Sequence, residues 1–306
     1  FFRGKISLNK ISIRRQNHPL SNVDLTADKI VSDIDILSIF NSVVHVDTLQ
    51  ISGLKGTFER VSSPPKDSEG KGFEVRHFLG EQISINLIDH PQTGAIVRMP
   101  LVIDRWESAP LRSWMAVFDV LFRSNAEGML DSSPFQIRME GTDEGRKTKL
   151  SADRLPIKFL GPYVGGPMRW ITEGQMKVDV EDSWRKEEQS GEIDMDWKIT
   201  FQGIHAEVPA DASMLERTFA EPIVKYINDH SKELSLNFKL VMNDKHFENA
   251  MSLEATDIFE ILKDTLAEEL AKAAGTLPAR VKELGKAGWE RFKKPRESKQ
   301  PMDKRE

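Results

Sequence analysis

Residues 191–203, GEIDMDWKITFQG, place Ile193, Met195, Trp197, Ile199 and Phe201 in strict alternation with Glu192, Asp194, Asp196, Lys198 and Thr200. A period of two puts the first set on one face of a strand and the second on the other. The same pattern recurs in ELSLNFKLVM (Leu234, Leu236, Phe238, Leu240, Met242), QISINLI (Ile83, Ile85, Leu87), PFQIRME (Phe135, Ile137, Met139) and QMKVDVE (Met176, Val178, Val180). Strands covered on both faces read as continuous apolar runs, whereas alternation marks an antiparallel sheet with one wet face. The pattern therefore predicts a mainly β (α+β) chain built on one large antiparallel sheet with a few packing helices. The pattern argues against a doubly wound nucleotide-binding fold.

Working outward, KISLNKISIRR alternates at Ile6 and Leu8 and resumes on the opposite parity at Ile11 and Ile13, which predicts a bulge or tight turn at Asn9-Lys10. Further strands are expected in VDLTADKIV, DIDIL and HVDTLQISG, and in a short segment over Thr57–Val61. SSPPKDSEGKG, residues 62–72, reads as a flexible polar loop. Helical spacing is local. Residues 36–44 suit a short crossover. Residues 110–123 place Leu111, Trp114, Met115, Phe118 and Phe122 on one helix face with Pro110 in the first turn. That aromatic stripe is read as core; the alternative is a helix against lipid or a partner, with Trp114 and Phe118 exposed. The body is thus assigned to residues 1–250, followed by two C-terminal helices over 257–294 and a basic flexible tail over 295–306. In the first of these helices Asp257 caps the start, Ile258, Ile261, Leu262, Leu266, Leu270 and Ala273 share a face, and Gly275 ends it.

Composition bounds the chemistry. The chain has 306 residues, 39% hydrophobic and 30% charged, with net charge −5 and no cysteine. It is neither compositionally disordered nor a membrane bundle, and it carries no disulfide, thiolate metal site or cysteine nucleophile. Charge is asymmetric: residues 276–306 carry +5 and the remainder −10. Arg291, Lys293, Lys294 and Arg296 are candidates for contact with anionic headgroups. No stretch approaches the roughly 20 apolar residues of a spanning helix. The chain opens on Phe1-Phe2-Arg3-Gly4, without methionine, which reads as a processed or partial chain.

No phosphate-binding glycine loop, nucleophile elbow, zinc-binding HExxH or calcium loop is present, and the seven histidines stand at no ligand spacing. The acids of EIDMDW, like Glu181-Asp182 and Glu187-Glu188, read as solvated. The expectation is a protein that is not an enzyme, with no metal and no cofactor. KFLGPYVGGPMRWITEGQMKVDVE, residues 158–181, compresses glycines and prolines before a strand, with Trp170 anchoring a sheet corner or standing at the mouth of an apolar groove.

FFRGKISLNKISI, VDTLQISGLKGTF and above all GPMRWITEGQMKVDVE resemble the mitochondrial distribution and morphology (Mdm) family of inner-membrane proteins, itself similar to the AsmA/TamB-like group. The likeness covers most of residues 1–240, with Ser62–Gly72 and Ser183–Gly191 as departures. It implies a long, curved AsmA-like sheet with an apolar concave face. It also implies an anchor in the mitochondrial inner membrane, a soluble part in the intermembrane space, and a role in phospholipid homeostasis and organelle shape. Partners would be phospholipid, the membrane surface and a protein of that membrane, with no nucleic acid. Lipid-groove or corner candidates are Trp170, Ile171, Met195, Trp197, Phe201, Leu236 and Phe238. The competing reading is an accessory subunit of a larger inner-membrane assembly of respiratory type.

Overall fold

The structure, a computed structural model, describes residues 3–61, 72–91, 96–141, 145–159, 161–164, 168, 170–186, 191–208, 210, 212, 214–248, 258–273 and 275. The strands are β1 (Arg3–Arg15), β2 (Ser21–Asp35), β3 (Val43–Ser52), β4 (Lys55–Arg60), β5 (Gly72–Asp89), β6 (Val97–Ser108), β7 (Leu111–Arg112) and β8 (Ser124–Leu130). They continue through β9 (Ser133–Gly141), β10 (Gly145–Pro156), β11 (Ile171–Lys186), β12 (Gly191–Ala206) and β13 (Glu233–Asn243). All thirteen form one sheet in the order β1-β2-β3-β5-β6-β8-β9-β10-β11-β12-β13, with β4 paired to β2 and β5 and β7 paired to β5. The helices are α1 (Ala116–Phe122), α2 (Gly161–Val164), α3 (Met214–Asp229) and α4 (Ile258–Ala273).

The sheet is not antiparallel throughout: β3 and β4 both run parallel to β5. They succeed one another along a single line between β2 and β5, interrupted at Gly53 (φ 65°). The predicted step at Asn9-Lys10 is no turn. Lys10 alone takes a positive φ of 53°, and pairing with β2 keeps one register on both sides, Leu8 facing Ile30 and Ile11 facing Ala27.

Directly opposed residues of neighbouring strands project from the same face. One row runs across the whole sheet: Leu8 opposite Ile30, Ile30 opposite Ile51, then Gly80, Trp106 and Ala126. It goes on through Ile137, Leu150, Val180 and Trp197 to Phe238. Every member is apolar or glycine. A second row continues the same face from Ile83 through Ile103, Gly128, Phe135, Ala152, Val178 and Ile199 to Leu236. The alternation seen strand by strand is thus one apolar face spanning eleven columns.

Helices cover that face unevenly. α3 packs on β12, α4 on β13, and α1 on β7, β8 and β10. The large core accordingly gathers β10–β13 with α1, α3 and α4. Toward β1 the described residues form only a small cluster of Val46, Val75 and Phe78, and Leu8 is 49% exposed.

Two predicted helices are shorter than expected. Residues 36–44 hold a 3-10 turn over Ile36–Phe40, started by the Asp35 carboxylate accepting from Leu37 N–H (3.1 Å), and β3 begins at Val43. In 110–123 the helix starts only at Ala116, because Leu111 and Arg112 are taken by pairing with Val75 and Glu74 of β5. Its Phe118 and Phe122 are buried, as core. α4 ends at Ala273, with Gly275 at φ 64° just beyond it. The second C-terminal helix, the loop after Ser62, the basic tail, and Arg291, Lys293, Lys294 and Arg296 lie outside the described residues.

Candidate binding site at the covered end of the apolar face

Six of the seven groove or corner candidates are buried, and Trp197 and Phe238 also border an open depression with Lys149, Glu181, Asp196 and Lys239. Met195, Phe201, Leu236 and Phe238 are buried in the large core, as are Trp170 and Ile171 at the start of β11. The corner itself is built by Gly174. At φ 119°, a Cβ there would stand 2.9 Å from Ile204 Cα, and the pairing of β11 with β12 shifts on both sides of Glu173. Glycine lets this double irregularity form, so Trp170 turns inward while β11 enters the sheet.

Trp197 differs from the other six. It is only partly buried, stacks on Phe238 (ring centroids 6.1 Å apart, 10° between planes), and borders a cavity of about 130 Å³. Leu150, Val180 and Met195 form its floor on β10–β12. Its walls are Leu121 and Phe122 of α1 and Ile258 and Leu262 of α4. The cavity therefore sits where the transverse apolar row passes beneath the helices.

Asp182 lines the same space. On β11, Met176, Val178 and Val180 point inward, and parity sends Asp182 and Trp184 the same way; Asp182 is 6% exposed. The solvated reading of Glu181-Asp182 holds for exposed Glu181, which pairs with Lys149 (2.6 Å), and is corrected for Asp182. Glu187 and Glu188 lie outside the described residues. Burial pushes the Asp182 carboxyl from 3.8 up to about 8, against a hydrogen bond with Thr148 that pulls it down. Thr148 Oγ1 also lies within donating distance of the Phe122 carbonyl (3.2 Å), which competes for its one proton. Asp182 Oδ1 and Trp197 Nε1 are both buried without a hydrogen-bond partner.

A second buried acid beside the cavity is fully occupied. Asp119 of α1 accepts from Arg112 Nη2 (2.7 Å), Arg112 Nε (2.9 Å) and Arg112 backbone N–H (2.8 Å), with Arg123 Nε 3.5 Å away. Burial raises the Asp119 carboxyl despite Arg112. Burial pulls the Arg112 guanidinium down, but the hydrogen bonds and charge of Asp119 hold it above its ordinary value. With three donors on two oxygens the ionised pair is the form this geometry serves. Arg123 and Arg146 flank the Trp184 ring, each 5.4 Å from its centroid, which completes a structural polar cluster. Among the described residues no group of three or more His, Asp or Glu is placed to hold a metal ion. No described helix is long and apolar enough to cross a membrane.

The carboxyl and indole at the cavity were legible in part. An acid at the inward parity of an alternating strand is a signal; what the sequence lacks is the helix that closes over it. α3 was not anticipated, although Ala220, Ile223 and Ile227 stand at helical spacing, all buried.

No family model and no solved structure matches the chain. It is 19% identical over 316 residues to mitochondrial distribution and morphology protein 31 of Schizosaccharomyces pombe, a similarity covering 87% of this chain and 52% of that protein. The chain spans about half the length of this relative.

Proposed function

We propose that this protein is a non-enzymatic phospholipid-handling protein of mitochondria. It is tethered to the inner membrane, its sheet faces the intermembrane space, and it supports lipid homeostasis and mitochondrial morphology. The observation that carries the reading is the apolar row crossing all eleven columns, with helices packed on its β10–β13 end and Leu8 exposed at the other. An apolar face larger than the core needs must be covered by something, and each acyl methylene laid on it contributes about 0.8 kcal/mol. Such a surface works without a nucleophile, base or metal. The mitochondrial assignment is supported by the similarity to the fission yeast protein.

The test is mass spectrometry of phospholipid retained by the purified protein and by the double variant Leu8→Lys/Ile30→Lys. Both residues are opposed at the open end and neither is buried, so the variant is expected to fold and lose most of its lipid. Equal lipid in both, or none in either, refutes the reading.

The 3-10 turn Ile36–Phe40 favours a second reading, an accessory subunit of an inner-membrane assembly. It exposes Ile36, Leu37 and Ile39, and Phe40 is 84% exposed. Phe40→Ser would then abolish co-migration with a large complex in a native gel.

A further inference from the structure

We propose that the cavity between α1, α4 and the β10–β12 face receives the methyl end of a phospholipid acyl chain, with the headgroup left outside. The inference rests on the phospholipid-handling reading for the source of that chain, and adds to it a place where the chain ends.

Three properties of the space carry the assignment. The first is what it offers an occupant. Apart from Asp182 and the Trp197 ring, every residue lining it is Leu, Ile, Val, Met or Phe. Asp182 Oδ1 and Trp197 Nε1 are themselves occluded, so an occupant meets almost only hydrocarbon. The second is size. At about 130 Å³ it is a little smaller than the apolar cavity of roughly 150 Å³ that stays dry and holds benzene, so it has room for about five carbon atoms. That is the end of an acyl chain and far less than a whole lipid. Native cores hold few voids larger than a water molecule, and a dry one leaves its lining short of contacts that entering hydrocarbon restores. The third is access from one side. Phe122, Val180, Met195, Ile258 and Leu262 are buried, whereas Leu121, Leu150 and Trp197 stay partly exposed and mark the mouth. Leu150 is also the member of the transverse apolar row that follows Ile137, so a chain laid along the row from its open end arrives there.

Charge decides between two sources of such a chain. None of the lining residues is Lys, Arg or His, and one is an acid. The carboxylate of a free fatty acid held close to the mouth finds no counter-charge among them. A zwitterionic phosphocholine headgroup carries no net charge to compensate, and a phospholipid places its ester and phosphate farther along, in water.

The test titrates three probes into the unsubstituted protein at pH 7: benzene, octylphosphocholine below its micellar concentration, and octanoate. Methyl NMR follows Met195 and Leu262 in the cavity and Leu8 on the open face. We expect benzene and octylphosphocholine to shift Met195 and Leu262 saturably, and octanoate to bind there at least about tenfold more weakly than octylphosphocholine, for want of a counter-charge. Leu121→Trp, which adds bulk at the mouth, should weaken both binders at Met195 by at least about tenfold while Leu8 keeps its response. No shift of Met195 and Leu262 with benzene means a space that nothing enters, and overturns the site. A shift with benzene and none with octylphosphocholine overturns the chain-end assignment, since the space then takes only what it encloses whole. Octanoate as tight as octylphosphocholine gives the site to a free fatty acid and overturns the phospholipid. Undiminished binding to Leu121→Trp overturns the mouth. Because the ligand series runs on the unsubstituted protein, a Leu121→Trp variant that fails to fold leaves the test intact. Silence of Leu8 with a response at Met195 refutes lipid on the open face alone, and the reverse refutes the cavity alone, so the two readings fail separately.

Discussion

Replacing Asp182 by asparagine should stabilise the protein at neutral pH, and the size of the gain follows from its burial. The group is an acid whose folded pKa is raised, from 3.8 to about 8. Between those values the unfolded chain releases a proton that the native state retains, so stability falls as pH rises from about 4 to 8 and is flat above. At about 1.4 kcal/mol per pH unit, the penalty at pH 7 is roughly 4 kcal/mol. Asparagine keeps the shape without the ionisation, but its amide leaves a buried donor wanting a partner, which returns about 1–3 kcal/mol. The net expectation is about 2 kcal/mol in favour of Asp182→Asn at pH 7, vanishing or reversing near pH 4. With a urea slope near 3 kcal/mol per molar, the midpoint rises by roughly half a molar. The assay is urea unfolding followed by tryptophan fluorescence at pH 4, 5, 7 and 8.5 for both proteins; their difference cancels every other titrating group. A variant less stable than the parent at pH 7, with a difference independent of pH, would refute the reasoning and mean that Asp182 is ionised and partnered.

Other substitutions separate structural from functional roles. Asp119→Asn leaves Arg112 and Arg123 with only a neutral acceptor in the core, and should cost about 3–5 kcal/mol in urea unfolding, whereas an exposed partner such as Glu181→Gln, which frees Lys149, should leave the urea midpoint unchanged. Gly174→Ala forces a Cβ to 2.9 Å from the β12 backbone at a positive φ, and a loss of about 1–3 kcal/mol is expected, read as a lowered melting temperature. Met195→Lys, in the core beneath the helices, should abolish cooperative unfolding, while Leu8→Lys on the open end should leave the melting temperature within about 2 °C. If the two changes destabilise alike, the face is closed along its whole length.

Much of this was written in the chain. Alternation in β12, β13, β9 and β11 sets which side chains turn inward, because a strand's periodicity is a backbone property needing no partner. The sequence alone therefore determines a mainly β protein with an apolar and a wet face, and it places Asp182 at an inward parity. Trp170-Ile171-Thr172-Glu173-Gly174 stands out as a motif, and the structure gives its physical meaning as the irregularity that lets β11 enter beneath Trp170.

What periodicity leaves open is which strands are neighbours and what lies on top of them. The parallel pairing of β3 and β4 with β5, and the register that lines Leu8 up with Phe238 across eleven columns, depend on contacts between residues far apart in the chain. So does helix cover: α1 and α4 reach the face from either side of β8–β13 in sequence, and only their approach turns Asp182 from an acid on a strand into a buried carboxyl whose pKa burial raises. The same approach takes Met195, Phe201, Leu236 and Phe238 out of reach and leaves Trp197 at a cavity. Local sequence decides the direction of a side chain; long-range packing decides whether it meets water, hydrocarbon or a ligand, since solvation belongs to the assembled surface and not to the strand.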